Sequence, residues 1–432
     1  MAVEQEDGER PPTPQGEGRR RFLRRHWLAL LAGLLSVLLL LGGTLAWLAY
    51  RKLNGNIETD AATVTLLGPE SDRPTRTADT AENILLIGSD DRSGANGAYG
   101  STAGQRSDTV ILLHLAADGR RATAVSVPRD VMVTVPPCEL PDGTRTRGGL
   151  AQFNAAFDTG GPACTIRTVE QLSGIRIDHH MIVDFTGFKR MVDAVGGVEV
   201  CVPTEIHDRD AHLDLPAGRQ LLHGEQALGW VRVRESLGNG SDTDRMGRQQ
   251  QFLAALIRKV QSQGVLLNPT RLWPLLDAAT SSITADPGLS RLGALYDLAQ
   301  RLRSMAPSDI VFLTTPRRPY RFNANRDEFV QPQTDQLFAA LRADRVVAVR
   351  PSAGPSAEQS GGSGARPAPD PSAGPGPSTG RTPGPTPRPT PGVTPAPTAG
   401  SGPGTPSGTG APGTPAPLEG RTADQPDACA AG

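Results

Sequence analysis

The chain has 432 residues, of which 44 are lysine or arginine and 45 are aspartate or glutamate. Because these charges nearly cancel, no global field attracts nucleic acid, and we predict no nucleic-acid partner. Much of the chain is rich in proline and glycine and does not form a core, so its length overstates the number of folded domains.

An apolar run at residues 27–50 follows a polar, arginine-ending segment at 1–26. At 1.5 Å per residue the run is about 36 Å long, which is enough to cross a bilayer. Five arginines, at 19, 20, 21, 24 and 25, lie just before the run, and only Arg51 and Lys52 follow it closely. We therefore expect a cytoplasmic N-terminus and an extracellular remainder. A cleaved signal peptide is the alternative, but the run is long for one and no A-x-A site follows closely.

A folded domain is predicted over residues 82–346, after a juxtamembrane linker at 51–81 that shows little periodicity. Apolar runs bounded by glycine and aspartate predict strands at 84–87, 110–115, 122–127, 131–135, 179–185, 198–202 and 310–313. Apolar residues at helical spacing predict helices at 162–173, 186–195, 243–263, 289–304 and 333–342. Interleaved strands and helices of this kind predict an α/β fold with a mixed sheet flanked by helices.

The composition changes to proline, glycine, serine, threonine and alanine toward the C-terminus. Residues 347–432 have too few large apolar side chains to form a core, so we predict a disordered tail. The tail could extend into a thick cell wall or be a dispensable linker, and the sequence favours neither.

Four cysteines lie on the predicted outer side, where disulfides persist. Cys138 and Cys164 flank a glycine-, proline- and arginine-rich excursion. A bridge between them would close a loop of about 25 residues and stabilise the fold by roughly 3 kcal/mol. Cys201 lies in an apolar strand and is predicted to be a small buried residue. Cys429 is predicted to have no part in the fold, and no cysteine or histidine spacing indicates a zinc site.

Arginine and aspartate recur in five short segments: GSDDR (88–92), RSDT (106–109), PRD (128–130), VRVR (231–234) and DTDRMGRQQ (242–250). Asp90 follows a predicted strand directly, at the end where open α/β sheets bind ligands. Arg106 and Asp108 are two residues apart, so on extended backbone they point to the same side. Arg232 and Arg234 repeat this spacing on a predicted extended segment.

Two guanidinium groups on one face match the oxygens of a diphosphate, because each can bind bidentately. Arg245 and Gln249 lie one turn apart at the start of a predicted helix, whose N-terminus also favours phosphate. Asp90 and Asp108 offer carboxylate oxygens to Mg²⁺, which also takes phosphate oxygens and water as ligands. We therefore predict a pyrophosphate on a lipid as the substrate and Mg²⁺ as the cofactor.

Each of these elements alone has a commoner structural explanation. An R-x-R pair is usually part of a solvated face, and an aspartate after a strand is usually a cap. The number and order of the elements carry the prediction. The sequence has no G-x-S-x-G, Walker or H-E-x-x-H motif, which favours a reaction in which the protein positions and neutralises charge.

Taken together with FNAAFDTGG at 153–161, the five segments resemble the LytR-CpsA-Psr family of cell-envelope proteins, in its actinobacterial form. The resemblance covers about residues 82–265 and includes the single membrane span. It implies an α/β sheet with an apolar tunnel for a polyprenyl chain. It also implies transfer of a glycopolymer from a polyprenyl pyrophosphate to peptidoglycan, with Mg²⁺ at the pyrophosphate.

The resemblance also implies roles for individual residues, and Asp90 and Asp108 match the aspartates on the metal side. The arginines around the pyrophosphate match Arg106, Arg129, Arg232, Arg234 and Arg245. Of these, the catalytic set is Arg129, Arg232 and Arg234, with Asp242 as general base or orienting group. Substrate binding is assigned to Arg106, Arg245 and Gln249. Two positions depart from the family pattern: Gln152 stands where a lysine is common, and Asp244 where a glycine is common.

The predicted function is that of a phosphotransferase that attaches a polyprenyl-pyrophosphate-linked glycopolymer to peptidoglycan at the outer face of the cell membrane. A polyprenyl-pyrophosphate hydrolase and a non-catalytic regulator that binds the lipid carrier are the alternatives. The predicted partners are the lipid-linked polymer, peptidoglycan and the membrane. Apolar residues of the predicted helices could line a tunnel, but core packing is the favoured explanation for them: Phe188, Met191, Val192, Phe252 and Leu256.

Overall fold

The computed structural model describes residues 17–76, 80–89, 107–233, 242–262, 269–351, 417–425 and 429. Its helices are α1 (Glu17–Asn56), α2 (Ala61–Leu66), α3 (Ala155–Ser173), α4 (Phe185–Ala194), α5 (Gly224–Arg232), α6 (Asp242–Ser262), α7 (Pro269–Thr280), α8 (Leu292–Ser304) and α9 (Gln333–Arg342). Its strands are β1 (Glu58–Thr59), β2 (Glu82–Ser89), β3 (Ser107–Leu115), β4 (Ala122–Val127), β5 (Met132–Val135), β6 (Gly149–Gln152), β7 (His179–Asp184), β8 (Val198–Val202), β9 (Ile206–Asp208), β10 (Leu213–Leu215), β11 (Gly218–Leu222), β12 (Ile283–Ala285), β13 (Ile310–Thr314), β14 (Arg317–Tyr320), β15 (Asn323–Phe329), β16 (Val349–Pro351) and β17 (Leu418–Thr422).

The predicted α/β class is confirmed, and all seven predicted strands are present as β2, β3, β4, β5, β7, β8 and β13. The predicted helices at 186–195, 243–263 and 333–342 correspond to α4, α6 and α9. The one predicted at 162–173 is the second half of α3, which starts at Ala155 and bends at Gly160 and Gly161.

The main sheet has nine strands in the order β1-β12-β7-β2-β3-β4-β13-β17-β16. Strand β2 runs parallel to β7, and β4 runs parallel to β13, while β3 is antiparallel to both β2 and β4. The carboxyl ends of β2, β4, β7 and β13 therefore meet at one edge of the sheet, together with the start of β3. We call this edge the carboxyl edge.

Both faces of the sheet are covered, which explains the nearly continuous apolar sequences of its central strands. Helices α3 and α9 pack on one face, where the core includes Phe157 and Phe338. On the other face, α6 and α8 pack with Ala254 and Leu298 in the core. A third apolar cluster joins β8–β11 to α4, α5 and α6, and Trp230 and Phe252 are buried in it.

Helix α1 is the one helix in the described residues that is long and apolar enough to cross a membrane. It extends beyond the predicted run at both ends, and its last turn packs against the domain. Leu53 and Ile57 are buried there. Asn56 Nδ2 donates to Asp277 Oδ1 over 3.1 Å, so α1 is held directly on α7.

The prediction that residues 51–81 form a linker is wrong for most of this segment. Strand β1 pairs with β12 at the end of the main sheet, and α2 packs on α3. Arg73 Nη2 donates to the buried carboxylate of Glu170 over 2.6 Å. The segment has no hydrophobic periodicity because it contacts the domain through separate residues and buries no continuous apolar face.

The tail predicted to be disordered, residues 347–432, contains a short paired strand near each of its ends. Strand β16 pairs in parallel with β17, and β17 pairs with β13 in the main sheet. Cys429 forms a disulfide with Cys201, so neither cysteine has its predicted role. These strands are short and weakly apolar. They form by hydrogen bonding to the sheet, and composition does not reveal such pairing. Residues 352–416 lie outside the described part of the chain.

The predicted bridge between Cys138 and Cys164 is present. It ties the excursion after β5 to α3, where both cysteines are buried. No cysteine of the chain is left free.

Candidate functional site

Polar residues gather where β2, β3, β4 and β7 reach the carboxyl edge. Ser89, the last residue of β2, is in register with Asp184 of β7 and with Ser107 of β3. In the β3–β4 ladder Val110 is paired with Val127. Continuing this antiparallel register by two residues brings Asp108 opposite Arg129.

Arg129 and Asp108 form an ion pair at this edge. Arg129 Nη1 donates to Asp108 Oδ1 over 2.6 Å, and Arg129 Nε donates to Asp130 Oδ2 over 3.2 Å. The Arg129 side chain is 19% exposed and that of Asp108 is 28% exposed. The guanidinium is thus held by two carboxylates, and the side chain remains partly exposed.

Asp130 and Gln152 belong to this site although the sequence did not single out Asp130. Gln152 Nε2 donates to Asp130 Oδ1 over 2.7 Å. The PRD segment contained the signal, because Asp130 directly follows Arg129. At position 152, where the resemblance implies a lysine, the glutamine supplies a hydrogen bond to Asp130 and no positive charge.

Helix α6 runs across the sheet with its N-terminus at the carboxyl edge. Gln250 Nε2 donates to Ser126 Oγ and to Thr314 Oγ1 over 3.2 and 3.0 Å, which fastens the helix near the ends of β4 and β13. The other end of α6 lies near the start of β13, where Arg258 Nη1 donates to the carbonyl oxygen of Ala423. An N-terminus in this position favours an anionic ligand at the carboxyl edge.

Arg245 and Gln249 lie one turn apart on α6. Arg245 is 4% exposed. Gln249 Nε2 donates to the carbonyl oxygen of Val231, next to Arg232, over 3.2 Å. This contact brings the first turns of α6 beside the end of α5.

The prediction that Arg232 lies on extended backbone is wrong, because Arg232 is the last residue of α5. A capping box of His223 and Gln226 starts this helix, and Trp230 is buried on its inner face. The guanidinium of Arg232 lies 5.0 Å from the centre of the Phe185 ring, and Phe185 directly follows β7. Arg232 therefore remains at the carboxyl edge, but a helix and not a strand positions it.

Arg248 holds the backbone of Val233, the residue that follows Arg232. Its Nη2 donates to the carbonyl oxygen of Val233. Burial lowers the pKa of Arg248, and the charges of Asp244 and Asp208 act against that shift. Asp244 thus places a carboxylate one helical turn before the buried guanidinium of Arg248.

Four predicted site residues are not described in full. Asp90, Arg106 and Arg234 lie outside the described residues. The backbone of Asp242 begins α6 as predicted, but its side chain is outside the described part.

Four of the five residues considered for a tunnel belong to the apolar cluster or pack on it, and Met191, which is partly buried, does not. Val192 and Phe252 are fully buried in it, and Phe188 and Leu256 pack against it. The ring centres of Phe188 and Phe252 are 5.4 Å apart. These contacts are those of core packing.

Comparison with known proteins identifies relatives of this chain. A family model described as the LytR_cpsA_psr family matches residues 51–343. A probable cell wall biosynthesis protein, LcpB of Corynebacterium glutamicum, is 38% identical over 292 residues, which are 64% of this chain and 64% of LcpB. The chain therefore spans less than two thirds of the length of this relative.

Two further proteins extend the comparison. A polyisoprenyl-teichoic acid–peptidoglycan teichoic acid transferase, TagU of Oceanobacillus iheyensis, is 29% identical over 65% of this chain and 83% of TagU. The crystal structure of protein gbs0355 from Streptococcus agalactiae superposes with a TM-score of 0.50 and 21% identity, and it covers 62% of this chain and 89% of that one. The likeness to gbs0355 concerns the fold alone.

Proposed function

The chain belongs to the LytR-CpsA-Psr family, and from this we propose that it transfers a glycopolymer from a polyprenyl pyrophosphate to peptidoglycan through a phosphodiester. The names of its relatives, cell wall biosynthesis protein and teichoic acid–peptidoglycan transferase, support the general reaction. The identity of the polymer in this chain's reaction is left open by those names.

The observation that carries the proposal is the group of cations at the carboxyl edge. Arg129 comes from the end of β4, Arg232 from the end of α5 next to β7, and Arg245 from the first turn of α6. Pyrophosphate oxygens bind guanidinium groups bidentately, and the N-terminus of α6 adds favourable dipole charge. Three separate elements therefore supply positive charge to one edge.

In the proposed reaction a peptidoglycan hydroxyl oxygen attacks the phosphorus next to the sugar. A new phosphorus–oxygen bond forms to the acceptor, and the bond from this phosphorus to the bridging oxygen breaks. Polyprenyl monophosphate leaves with the bridging oxygen and its electron pair. We assign Asp242, at the start of α6, to accept the hydroxyl proton. The arginines stabilise the charge that develops on the phosphoryl oxygens.

We propose Mg²⁺ as the cofactor at this edge. Asp108 is partly exposed and bonds Arg129 through Oδ1. No group of three or more metal-binding side chains occurs in the described residues. Mg²⁺ commonly takes one or two carboxylates and fills its remaining positions with substrate phosphates and water. We propose Asp108 and Asp90 as its ligands, and bound Mg²⁺ would neutralise pyrophosphate charge.

The attachment of α1 supports a site close to the membrane. Strand β1 is antiparallel to β7 through β12, so β1 begins at the carboxyl edge. Helix α1 ends at Asn56, two residues before β1. We propose that α1 is a single-pass anchor with a cytoplasmic N-terminus, which brings the carboxyl edge near the outer leaflet where the lipid substrate resides.

The experiment uses the full chain in phospholipid nanodiscs with a synthetic glycosyl-pyrophosphoryl-polyprenol, Mg²⁺ and a peptidoglycan acceptor. Products are identified by mass spectrometry. A glycan-phosphate adduct that is lost in Arg129→Ala and kept in Arg219→Ala supports the proposal. Arg219 is a suitable control because it forms an exposed pair with Glu199 on β8 and β11. Lipid monophosphate without adduct would indicate a hydrolase, and binding without turnover would indicate a regulator.

A further inference from the structure

We propose that the tip of the β14–β15 hairpin, residues 318–326, is a second membrane contact that binds the headgroup region of an anionic bilayer. The inference rests on α1 being the membrane anchor. It is independent of the reaction that the site performs.

The hairpin projects from the carboxyl edge. Strand β13 ends there, and β14 starts three residues after it. At the base, Asp327 N donates to the carbonyl oxygen of Asp130 over 3.1 Å, and Asp327 forms a parallel bridge with Val131. Since β5 leads from Val131 into the domain, the residues before Asp327 extend the opposite way. At about 3.3 Å per residue, Asn323 lies roughly 13 Å beyond the bridge.

The tip combines exposed aromatic and basic side chains. Phe322 is 72% exposed. The Arg321 guanidinium lies 4.6 Å from its ring centre, and the Tyr320 ring lies 5.3 Å from it. Residues 318–326 include three arginines and no acidic residue, and of these arginines Arg318 pairs with Glu328 across the hairpin over 2.8 Å. Aromatic rings and arginines that flank apolar surface are typical of the membrane interface, and arginines attract anionic lipids.

The tip and the anchor lie at the same edge of the sheet. Strands β1 and β13 are six strand spacings apart in the main sheet, which is about 29 Å. The ends of β2, β3 and β4, with Asp108 and Arg129, lie between them. A single membrane-spanning helix leaves the domain free to tilt relative to the bilayer. A second contact at this distance would hold the domain with its carboxyl edge facing the bilayer.

Photo-crosslinking of the full chain tests the proposal. A photoreactive phenylalanine analogue replaces Phe322 in one variant and Val346 in the control. Val346 is similarly exposed, at 71%, and follows α9 close to Asp344, which bonds His114 at the opposite edge of the sheet. Both variants are placed in nanodiscs of equal parts phosphatidylglycerol and phosphatidylcholine, with soluble peptidoglycan fragments present, and the adducts are identified by mass.

We expect phospholipid adducts at position 322 and none at 346, and a lower yield at 322 when Arg321→Ser and Arg326→Ser are added. Glycan adducts at 322, no adduct there, or equal lipid adducts at both positions would overturn the proposal. Failure of the chain to enter nanodiscs would overturn the anchor as well, so the two failures are distinguishable. Loss of transfer activity with intact lipid adducts would count against the proposed function alone and leave the membrane contact supported.

Discussion

Arg129 Nη1 lies 2.6 Å from Asp108 Oδ1, two residues beyond the last pair of the β3–β4 ladder at the carboxyl edge. Asp130 holds a second nitrogen of the same guanidinium, and Gln152 in turn holds Asp130. Side chains positioned by such a second layer of contacts keep their geometry when a charged ligand binds. The pair therefore connects a candidate charge-stabilising arginine with a candidate metal ligand.

Replacing Arg129 should remove most of the transfer activity. Loss of one positioned donor to a developing anion typically lowers the rate constant about 10²- to 10³-fold, and we expect this for Arg129→Ala. Arg129→Lys should recover only part of the rate, because an ammonium group cannot bind bidentately. Initial rates with the synthetic lipid substrate measure this effect. Thermal unfolding of each variant serves as the control, and an unchanged rate in Arg129→Ala would refute the assignment.

Asp108→Asn should raise the Mg²⁺ concentration that gives half-maximal activity, because the amide keeps the shape and removes the charge. The measurement is a Mg²⁺ titration of initial rates. Asp118→Asn is the matched control, since Asp118 pairs with Arg121 in the turn between β3 and β4 at the opposite edge. Identical Mg²⁺ titrations for wild type and Asp108→Asn would contradict the metal assignment.

The disulfide between Cys201 and Cys429 should stabilise the domain, because it ties the chain after β17 to β8. Removing a native disulfide from an extracellular domain typically costs about 2–5 kcal/mol. We expect Cys429→Ser to lower the melting temperature. The double variant Cys201→Ser/Cys429→Ser should show about the same loss, since either change breaks the bond. A melting temperature equal to that of the wild type would show that the bond does not stabilise the fold.

His179 should make stability depend on pH above neutrality. Burial disfavours its charged form, but hydrogen bonds to Asp286 and Glu82 outweigh burial and raise the pKa of His179 to about 9. Because the pKa of His179 is higher in the folded state than its unfolded value of about 6.5, protonated His179 stabilises the fold. This stabilisation is complete below about pH 6.5 and is lost as the pH rises through about 9. The free energy of unfolding should fall by up to about 3 kcal/mol across this window.

Denaturant unfolding from pH 6 to 10 would measure this loss, and His179→Gln should flatten the profile. His207→Gln is the matched control. His207 also contacts two carboxylates, of Asp214 and Glu205, but its side chain is 69% exposed, so solvent screens the interaction. A His179→Gln profile as steep as that of the wild type would contradict the prediction.

Much of the site's frame could be predicted from sequence because its strands carry strong local signals. The apolar runs of β2, β3 and β4 and the helical spacing in α6 fix the order of elements, and the charged segments fall at their ends. Arg232 was assigned to the wrong element because VRVR alternates like a strand. The helix that contains Arg232 starts with a His223–Gln226 capping box. This single pair of hydrogen bonds leaves only a weak pattern in the sequence.

The C-terminal segment shows why other features could not be predicted. Strand β17 has the sequence LEGRT, which lacks apolar alternation, and it forms by pairing with β13 at a distance of about a hundred residues. The partner of Cys429 follows from that pairing, and the connectivity of four cysteines cannot be deduced from their spacing. Composition therefore does not reveal short segments that form strands by pairing with a distant part of the sheet.

Attack at the sugar-proximal phosphorus can be tested with a substrate that carries ¹⁸O in the bridging position of the pyrophosphate. The full chain in nanodiscs is supplied with this substrate, Mg²⁺ and a peptidoglycan acceptor, and the phosphorus-containing products are identified by mass spectrometry. We expect lipid monophosphate that retains ¹⁸O, in equal amount to unlabelled glycan-phosphate on the acceptor. Release of lipid pyrophosphate, with glycan joined to the acceptor without phosphate, would contradict it.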